Sequence, residues 1–258
     1  MARAGRLAAF VALTLLLLAA LPLLPRLAQD PAYHAFADRR PCVGVPSCLN
    51  VVSNLPFVLV GLLGLVSLGG ARPGASGFAD PRERRPYRAF FLGIALTGLG
   101  SAYYHLAPGD ARLVWDRLPM TLTFAALLAA VVAERIALRA GLGLLWPLAG
   151  LGVASVLYWG ATERAGVGDL RPYALAQVYP VIAIPVLMGL FPPRYTRGGD
   201  LLMAAGLYAV AKGAEALDAP ILALGQVVSG HTVKHVVAAA AAWWVLRMLE
   251  RRVRAGAG

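Results

Sequence analysis

The sequence predicts an all-α polytopic membrane protein, on the evidence of its composition and its long apolar runs. Of the 258 residues, 59% are hydrophobic and only 14% are charged, whereas soluble domains average about 25% charged residues. Apolar runs recur along the whole chain, and they approach the roughly 20 residues that a membrane-spanning helix needs. The breaks between them are too short for a separate soluble domain, so the length fits one compact helical bundle.

The net charge of +11 comes almost entirely from arginine, since Lys212 and Lys234 are the only lysines. The arginines occur at the ends of the apolar runs, where the positive-inside bias and anionic lipid headgroups both favour them. A nucleic-acid-binding protein would instead carry them on one soluble face, so no nucleic-acid partner is expected. The sequence contains neither a Gly-rich phosphate loop nor a dinucleotide-binding fingerprint.

Eight apolar segments are predicted to cross the membrane as helices. They are residues 8–25, 48–70, 87–106, 113–134, 138–160, 172–192, 199–217 and 222–248. The breaks between them carry turn-forming or charged residues. The clearest breaks are residues 72–74 (RPG), 81–86 (PRERRP), 192–194 (PPR) and 218–220 (DAP). Glu134 and Arg135 are predicted to form a solvated helix end.

The first segment has two interpretations, a cleaved signal peptide or a retained helix. Arg3 and Arg6 precede its apolar run, as they would in a signal peptide. The run is long, however, and Pro25 and Arg26 follow it without a small-x-small cleavage site. We therefore favour a retained transmembrane helix.

The distribution of arginines favours an orientation with both termini in the cytoplasm, because most arginines then fall on cytoplasmic segments. The third helix would run outward and carry Ser101 and His105 near its outer end. Asp116 would begin the fourth helix on the same side, and the eighth helix would carry His231 and His235 in its outer half. These five polar residues are therefore predicted to lie at one depth in the membrane.

Three of these residues form a candidate zinc site. His231 and His235 are four residues apart and share a helix face, and His105 would be a third ligand from another helix. Polar residues inside membrane helices are costly and suggest function. Three protein ligands leave one zinc coordination position open, which is typical of a catalytic site. Haem binding and simple hydrogen bonding between helices are the alternatives.

Asp116 and Ser101 complete a candidate hydrolytic site. Asp116 fits the role of a general base that takes a proton from water and passes it to a leaving amine. Ser101 lies one turn before His105, so its hydroxyl can donate to a substrate carbonyl oxygen or orient a histidine. A serine nucleophile is disfavoured, because the histidines that would activate it are assigned to the metal.

Polar residues at two other helix ends have open interpretations. Asn50, Ser53 and Asn54 begin the second helix, where they can cap it or orient a metal ligand. Lys212 and Glu215 are three residues apart in the seventh helix, and a structural ion pair is favoured over a role in substrate binding.

Cys42 and Cys48 share the first outer loop. An oxidising compartment would permit a disulfide between them. A position of Cys48 inside the second helix argues against it, so both states remain open.

The motifs around the candidate site resemble those of alkaline ceramidases. Residues 98–105 (GLGSAYYH) and 115–120 (WDRLPM) resemble the family's G-x-G-S-x-x-F/Y-H and L-D-E-L-P-M. Residues 230–235 (GHTVKH) resemble G-H-x-x-x-H, and residues 50–56 (NVVSNLP) resemble N-T-I/V-S-N. The order and spacing of these motifs match along residues 45–250.

The resemblance implies a seven-transmembrane-helix bundle in residues 45–250, and residues 1–30 would then form one extra N-terminal transmembrane helix. It implies zinc bound by His105, His231 and His235, with Ser101 and Asp116 catalytic. The implied reaction is hydrolysis of a ceramide amide to a sphingoid base and a fatty acid. The wider superfamily includes adiponectin-type receptors, so a non-enzymatic, zinc-containing lipid receptor or sensor is the alternative.

The sequence departs from the family pattern at two places. Arg117 replaces the acidic residue that follows the catalytic aspartate. Residues 38–41 read DRRP and Ser47 replaces an expected glutamate, so the calcium site of eukaryotic members is not expected here. The Arg-rich, Lys-poor composition indicates a GC-rich bacterium. We therefore expect an inner-membrane protein with its site toward the periplasm, acting on ceramide or a similar N-acyl lipid.

Overall fold

The computed structural model describes residues 2–69 and 78–255, and within these residues the chain is helical with no strands. The helices are α1 (Arg3–Ala20), α2 (Cys48–Val52), α3 (Leu55–Gly69), α4 (Arg84–Leu106), α5 (Asp110–Arg135), α6 (Leu138–Arg164), α7 (Arg171–Leu190), α8 (Gly199–Ala216), α9 (Asp218–Gly225) and α10 (Gly230–Arg251). The predicted all-α class is confirmed. The predicted break at residues 72–74 and the end of the second segment at residue 70 lie outside the described residues.

Six helical segments of the described chain are long and apolar enough to cross a membrane. They are Arg3–Leu23, Cys48–Gly69, Pro81–Leu106, Asp110–Arg135, Leu138–Arg164 and Arg171–Leu190. Large apolar side chains such as Leu63, Trp146 and Leu151 are exposed on their outer faces, as expected of helices in contact with lipid. The chain is therefore a multi-pass membrane protein. Helices α8 and α10 pack against each other in the same bundle. They carry more polar residues than the six segments, so it stays a prediction that these two helices cross the membrane.

The second predicted helix is interrupted. Helix α2 ends at Val52 and α3 begins at Leu55, with Ser53 and Asn54 in the turn between them. Pro56 fits the break, because it lacks the N–H that would bond back to the Val52 carbonyl and is tolerated in the first turn of the new helix α3. The polar side chains of this turn thereby face the interior of the bundle, where both are buried.

The predicted start of the eighth helix at residue 222 is wrong. A short helix, α9, ends at Gly225, and α10 begins only at Gly230. Ser229 caps the new helix, its hydroxyl accepting the N–H of Thr232 at 3.2 Å. Gly230 allows α10 to approach α8, since a Cβ at this position would overlap with the carbonyl oxygen of Ala214. Hydropathy alone does not reveal the boundary between α9 and α10, because apolar residues continue on both sides of the cap.

Two further predictions about helix ends are corrected. Helix α5 begins at Asp110, so Asp116 lies in the second turn and not at the start; an acidic residue in the first turn is favoured by the helix dipole. Glu134 is not solvated, because it is buried against Arg252 with an Nη1–Oε1 distance of 2.6 Å.

Helices α4 and α5 form the centre of the bundle, and their close approach positions the candidate site. A Cβ on Gly100 would overlap with the backbone carbonyl of Trp115, so only glycine allows the two helices to meet here. This contact brings Ser101 on α4 next to Asp116 on α5. Helix α1 contains no buried residue and touches α7 through Thr14 and Tyr179, whose hydroxyls are 2.7 Å apart.

Candidate metal centre

Three buried histidines meet between α4 and α10. His105 comes from the last turn of α4, and His231 and His235 come from the first two turns of α10. Their nearest ligand atoms all lie within 4.8 Å of one another, and each side chain is at most 3% exposed. The structure therefore brings the three predicted ligands together, and they lie close enough to hold a metal ion.

One pair of ring nitrogens is close enough to share an ion. Nε2 of His105 lies 3.2 Å from Nε2 of His231, near the separation of about 3.3 Å that two imidazoles on one tetrahedral ion would have. Nε2 of His235 is buried and has no hydrogen-bond partner among the described residues, as expected for a nitrogen that receives a metal. The convergence of three rings disfavours haem, which takes at most two axial ligands on opposite faces.

Ser53 orients His235. Its hydroxyl lies 2.8 Å from Nδ1 of the ring and 3.3 Å from the Asn50 carbonyl oxygen, to which it donates. The single hydroxyl proton is therefore used, so the oxygen accepts from Nδ1–H and leaves the lone pair on Nε2. The Asn50 side chain also accepts a hydrogen bond from Thr232 at 3.0 Å. Of the two interpretations of this segment, contact with a histidine is the one found for Ser53, and its role in orienting a metal ligand stays a prediction.

Two residues that the sequence did not single out for the site hold its outer side. Phe36, from the first loop, packs on His105 and His231 with ring centroids 4.6 and 4.4 Å apart. Asp218 accepts the N–H of Ala37 at 2.8 Å and that of His231 at 2.7 Å. The carboxylate thus joins the loop to the start of α10. Asp218 was noted only as part of a helix break, and nothing in the sequence marked Phe36.

Ser101 and Asp116 are buried, and their side chains lie near each other. Both line a cavity of about 230 Å³ that His235 also lines. The hydrogen bond to a histidine is made by Ser53. The catalytic roles of Ser101 and Asp116 stay predictions.

Lys234 brings a positive charge to the edge of the histidine cluster. Its Nζ lies 3.3 Å from Nε2 of His231 and 2.7 Å from Oε1 of Glu215. Glu215 also pairs with Lys212, which confirms that predicted ion pair. The role of Lys234 was not predicted, although the only two lysines of the chain both contact one glutamate.

A second cavity, of about 140 Å³, has almost entirely apolar walls. It lies between α4, α5, α7, α8 and α10, next to Phe57 of α3. The residues that it shares with the first cavity are Phe57, Thr97, Met120, Tyr208 and Ala238. The two cavities therefore adjoin, with His235 and the other polar groups at one end and aliphatic and aromatic side chains at the other.

The first loop differs from a calcium site in its charges. Arg40 donates hydrogen bonds to both carboxylate oxygens of Asp38, at 2.8 and 2.7 Å. It also donates to the backbone carbonyls of Gln226 and Val227. Hydrogen bonding from Arg40 holds the pKa of Asp38 below its usual range. The expectation that no calcium binds stays a prediction, and Arg40 supplies its physical reason.

Cys42 and Cys48 form a disulfide in the same loop. Cys48 is the first residue of α2, so a position in the helix and a disulfide are compatible. The bond closes the loop immediately before the turn that carries Ser53.

Comparison with models of protein families and with curated proteins gives no match to this sequence. The residues of the site are therefore what indicates its function.

Proposed function

We propose that this protein is a zinc-dependent membrane amidohydrolase of the alkaline ceramidase type, which cleaves the amide of ceramide or a similar N-acyl lipid. The observation that carries the proposal is the meeting of three buried histidines, one of which, His235, lines a cavity together with Ser101 and Asp116. A structural zinc site needs only its ligands. A carboxylate and a hydroxyl beside an open cavity are the additional groups that hydrolysis requires.

The three histidines would hold the metal, with His235 fixed by Ser53. Zinc bound there would supply Lewis acidity and an acidified water. Nitrogen ligands at this spacing, all from helices, favour zinc over the hard cations that prefer oxygen ligands.

Asp116 would move the proton. Its carboxylate lines the cavity, so it can accept a proton from water and deliver it to the amine that leaves. The Ser101 hydroxyl lines the same cavity. It would donate to the substrate carbonyl oxygen, or to the Asp116 carboxylate, which it would then orient.

The adjoining apolar cavity would take the acyl chain. Its walls include Phe90, Ile94 and Phe124, and burial of methylene groups contributes about 0.8 kcal/mol each. The shared walls would place the first carbons of the chain in the apolar cavity while the amide stays beside Asp116. The proposed setting is a bacterial inner membrane, with both termini cytoplasmic and the site toward the periplasm.

The test is lipid turnover measured by mass spectrometry on purified protein of known zinc content, with ceramides and other N-acyl lipids. We expect amide cleavage by the wild type and a loss of about 100-fold or more in Asp116→Asn, which keeps the shape but not the base. His231→Ala should lose both zinc and activity. Full activity in a metal-free preparation would contradict the mechanism. Stoichiometric zinc without cleavage of any amide would favour the lipid receptor or sensor.

A further inference from the structure

Arg117 is a buried guanidinium without a carboxylate partner. It is 5% exposed, and none of the ion pairs found in residues 2–69 and 78–255 includes it. Nη2 donates to the side-chain oxygen of Gln29 at 2.6 Å, while Nη1 is buried and has no hydrogen-bond partner there. A buried charge in this state is energetically costly, so its retention calls for an explanation.

The surroundings of Arg117 accept a cation but do not neutralise it. The guanidinium carbon lies 4.0 Å from the ring centroid of Trp159, 4.7 Å from that of Tyr173 and 5.7 Å from that of Tyr33. Glu163 is a nearby carboxylate, but it accepts from the Trp159 indole and the Gln29 backbone. Aromatic faces offset part of the desolvation, and the positive charge remains available.

Arg117 lines the same cavity as Asp116, Ser101 and His235. The other cations on that cavity, Lys212 and Lys234, are both paired with Glu215. Two carboxylates, Asp116 and Glu215, face these three cations, so the cavity carries one excess positive charge. Arg117 is the cation among the three that forms no ion pair in the described residues, and it can therefore meet an anion from a ligand.

We infer that Arg117 binds a carboxylate of the substrate, on the amine side of the amide. The preferred substrate class is then an N-acyl amino acid, an anionic lipid, in place of a neutral ceramide. This inference rests on the proposed function for the reaction and on Arg117 alone for the substrate class.

Three observations point to a carboxylate close to the amide. Arg117 directly follows Asp116 in α5, and both line a cavity of only about 230 Å³. The carboxylate of the substrate and its amide must therefore be separated by few bonds, as they are when both groups are attached to one carbon. The planar guanidinium matches a carboxylate, and such charge-assisted hydrogen bonds are strong away from water.

The test compares two lipids that differ at one group, N-palmitoylserine and N-palmitoylserinol, in which a hydroxymethyl replaces the carboxylate. Equilibrium binding is measured on metal-free protein in a neutral detergent, so no hydrolysis is required. We expect the wild type to bind N-palmitoylserine about 10-fold or more tightly than N-palmitoylserinol. Arg117→Gln should lose this preference by weaker binding of the carboxylate lipid alone.

Two variants separate binding from folding. Arg112→Gln removes a half-buried arginine of the same helix, which stacks on Tyr103 and does not line the cavity, and should keep the preference. Arg117→Lys keeps the positive charge and should retain part of the preference for the carboxylate lipid. Equal binding of both lipids by the wild type would overturn the inference, whether or not the variants fold. If Arg117 were purely structural, Arg117→Gln would weaken the binding of both lipids equally and leave the ratio of their affinities unchanged.

Hydrolysis of the same two lipids by the zinc-loaded protein distinguishes this inference from the proposed function. Faster cleavage of N-palmitoylserinol or ceramide than of N-palmitoylserine would support the hydrolase and overturn the carboxylate site. Arg117-dependent binding of N-palmitoylserine without cleavage would support the carboxylate site and contradict the hydrolase.

Discussion

Ser53 determines which nitrogen of His235 can receive a metal. The Asn50 carbonyl takes the hydroxyl proton of Ser53, and the oxygen must then accept from Nδ1–H of the ring. The lone pair on Nε2 is thereby directed at the other two histidines before any ion binds. Preorganisation of this kind is what the partners of metal-binding histidines commonly provide.

Replacing Ser53 should weaken zinc binding without removing a ligand. Ser53→Ala deletes the acceptor for Nδ1–H, and we expect zinc affinity to fall by about 10-fold to 100-fold. Competition with a chromogenic chelator measures the change. Ser155→Ala is the matched control, because Ser155 is a buried serine that donates to a carbonyl of its own helix, α6. Equal zinc affinities in the two variants would count against the orienting role.

Glu215 should protect the metal centre from the charge of Lys234. The ammonium lies 3.3 Å from a ligand nitrogen of His231, and two unit charges about 4 Å apart interact by roughly 4 kcal/mol near a protein surface. We expect Glu215→Gln to lower zinc affinity by about 10-fold or more. Adding Lys234→Met should restore most of the loss, because it removes the repulsion. If the double variant binds zinc as weakly as the single one, the ammonium is not the cause.

At the scale of helices, the site depends on glycines that allow backbones to meet. Gly100 lets α4 approach α5, and Gly230 lets α10 approach α8. The first contact joins Ser101 to Asp116. The second fixes the start of α10, where His231 begins the metal cluster. Both glycines are in the motifs that suggested the function, and here their role is steric.

A methyl group at Gly100 should separate Ser101 from Asp116. In Gly100→Ala the new Cβ would overlap with the backbone carbonyl of Trp115, and overpacking of this kind costs about 1–3 kcal/mol. Thermal unfolding in detergent should report the lower stability, and lipid turnover should fall with it. Gly143→Ala on α6 is the control, since nothing lies within 4 Å of its added Cβ, and Ala should stabilise that helix by about 0.5–1 kcal/mol. Similar unfolding temperatures for both variants would contradict the close-contact argument.

Over the whole molecule, local sequence patterns predicted the helices and the histidine cluster. Caps and tertiary contacts determine the helix breaks and the remaining residues of the site. A spacing of four put His231 and His235 on one face, and hydropathy set the broad helix positions. Hydropathy does not reveal the break before α3, because the apolar run continues through Pro56. It does not reveal the start of α10 either, because the side-chain cap lies within a continuous apolar run. Phe36 and Asp218 were not predicted for the site, since each acts through contacts far apart in sequence.

The orientation of the whole bundle follows from where the arginines lie. The predicted cytoplasmic segments include the arginine-rich stretches at residues 82–88 and 247–254, and transferring such segments across an energised membrane is unfavourable. A fluorescent protein fused after Arg254 should therefore fluoresce, whereas alkaline phosphatase fused there should be inactive. Phosphatase fused after Gly166, between α6 and α7, should be active because that turn is predicted to face the periplasm. The opposite pattern would place the metal centre at the cytoplasmic side, where the Cys42–Cys48 disulfide would meet reducing conditions. The disulfide therefore agrees with the predicted orientation, and the two fusions test that orientation.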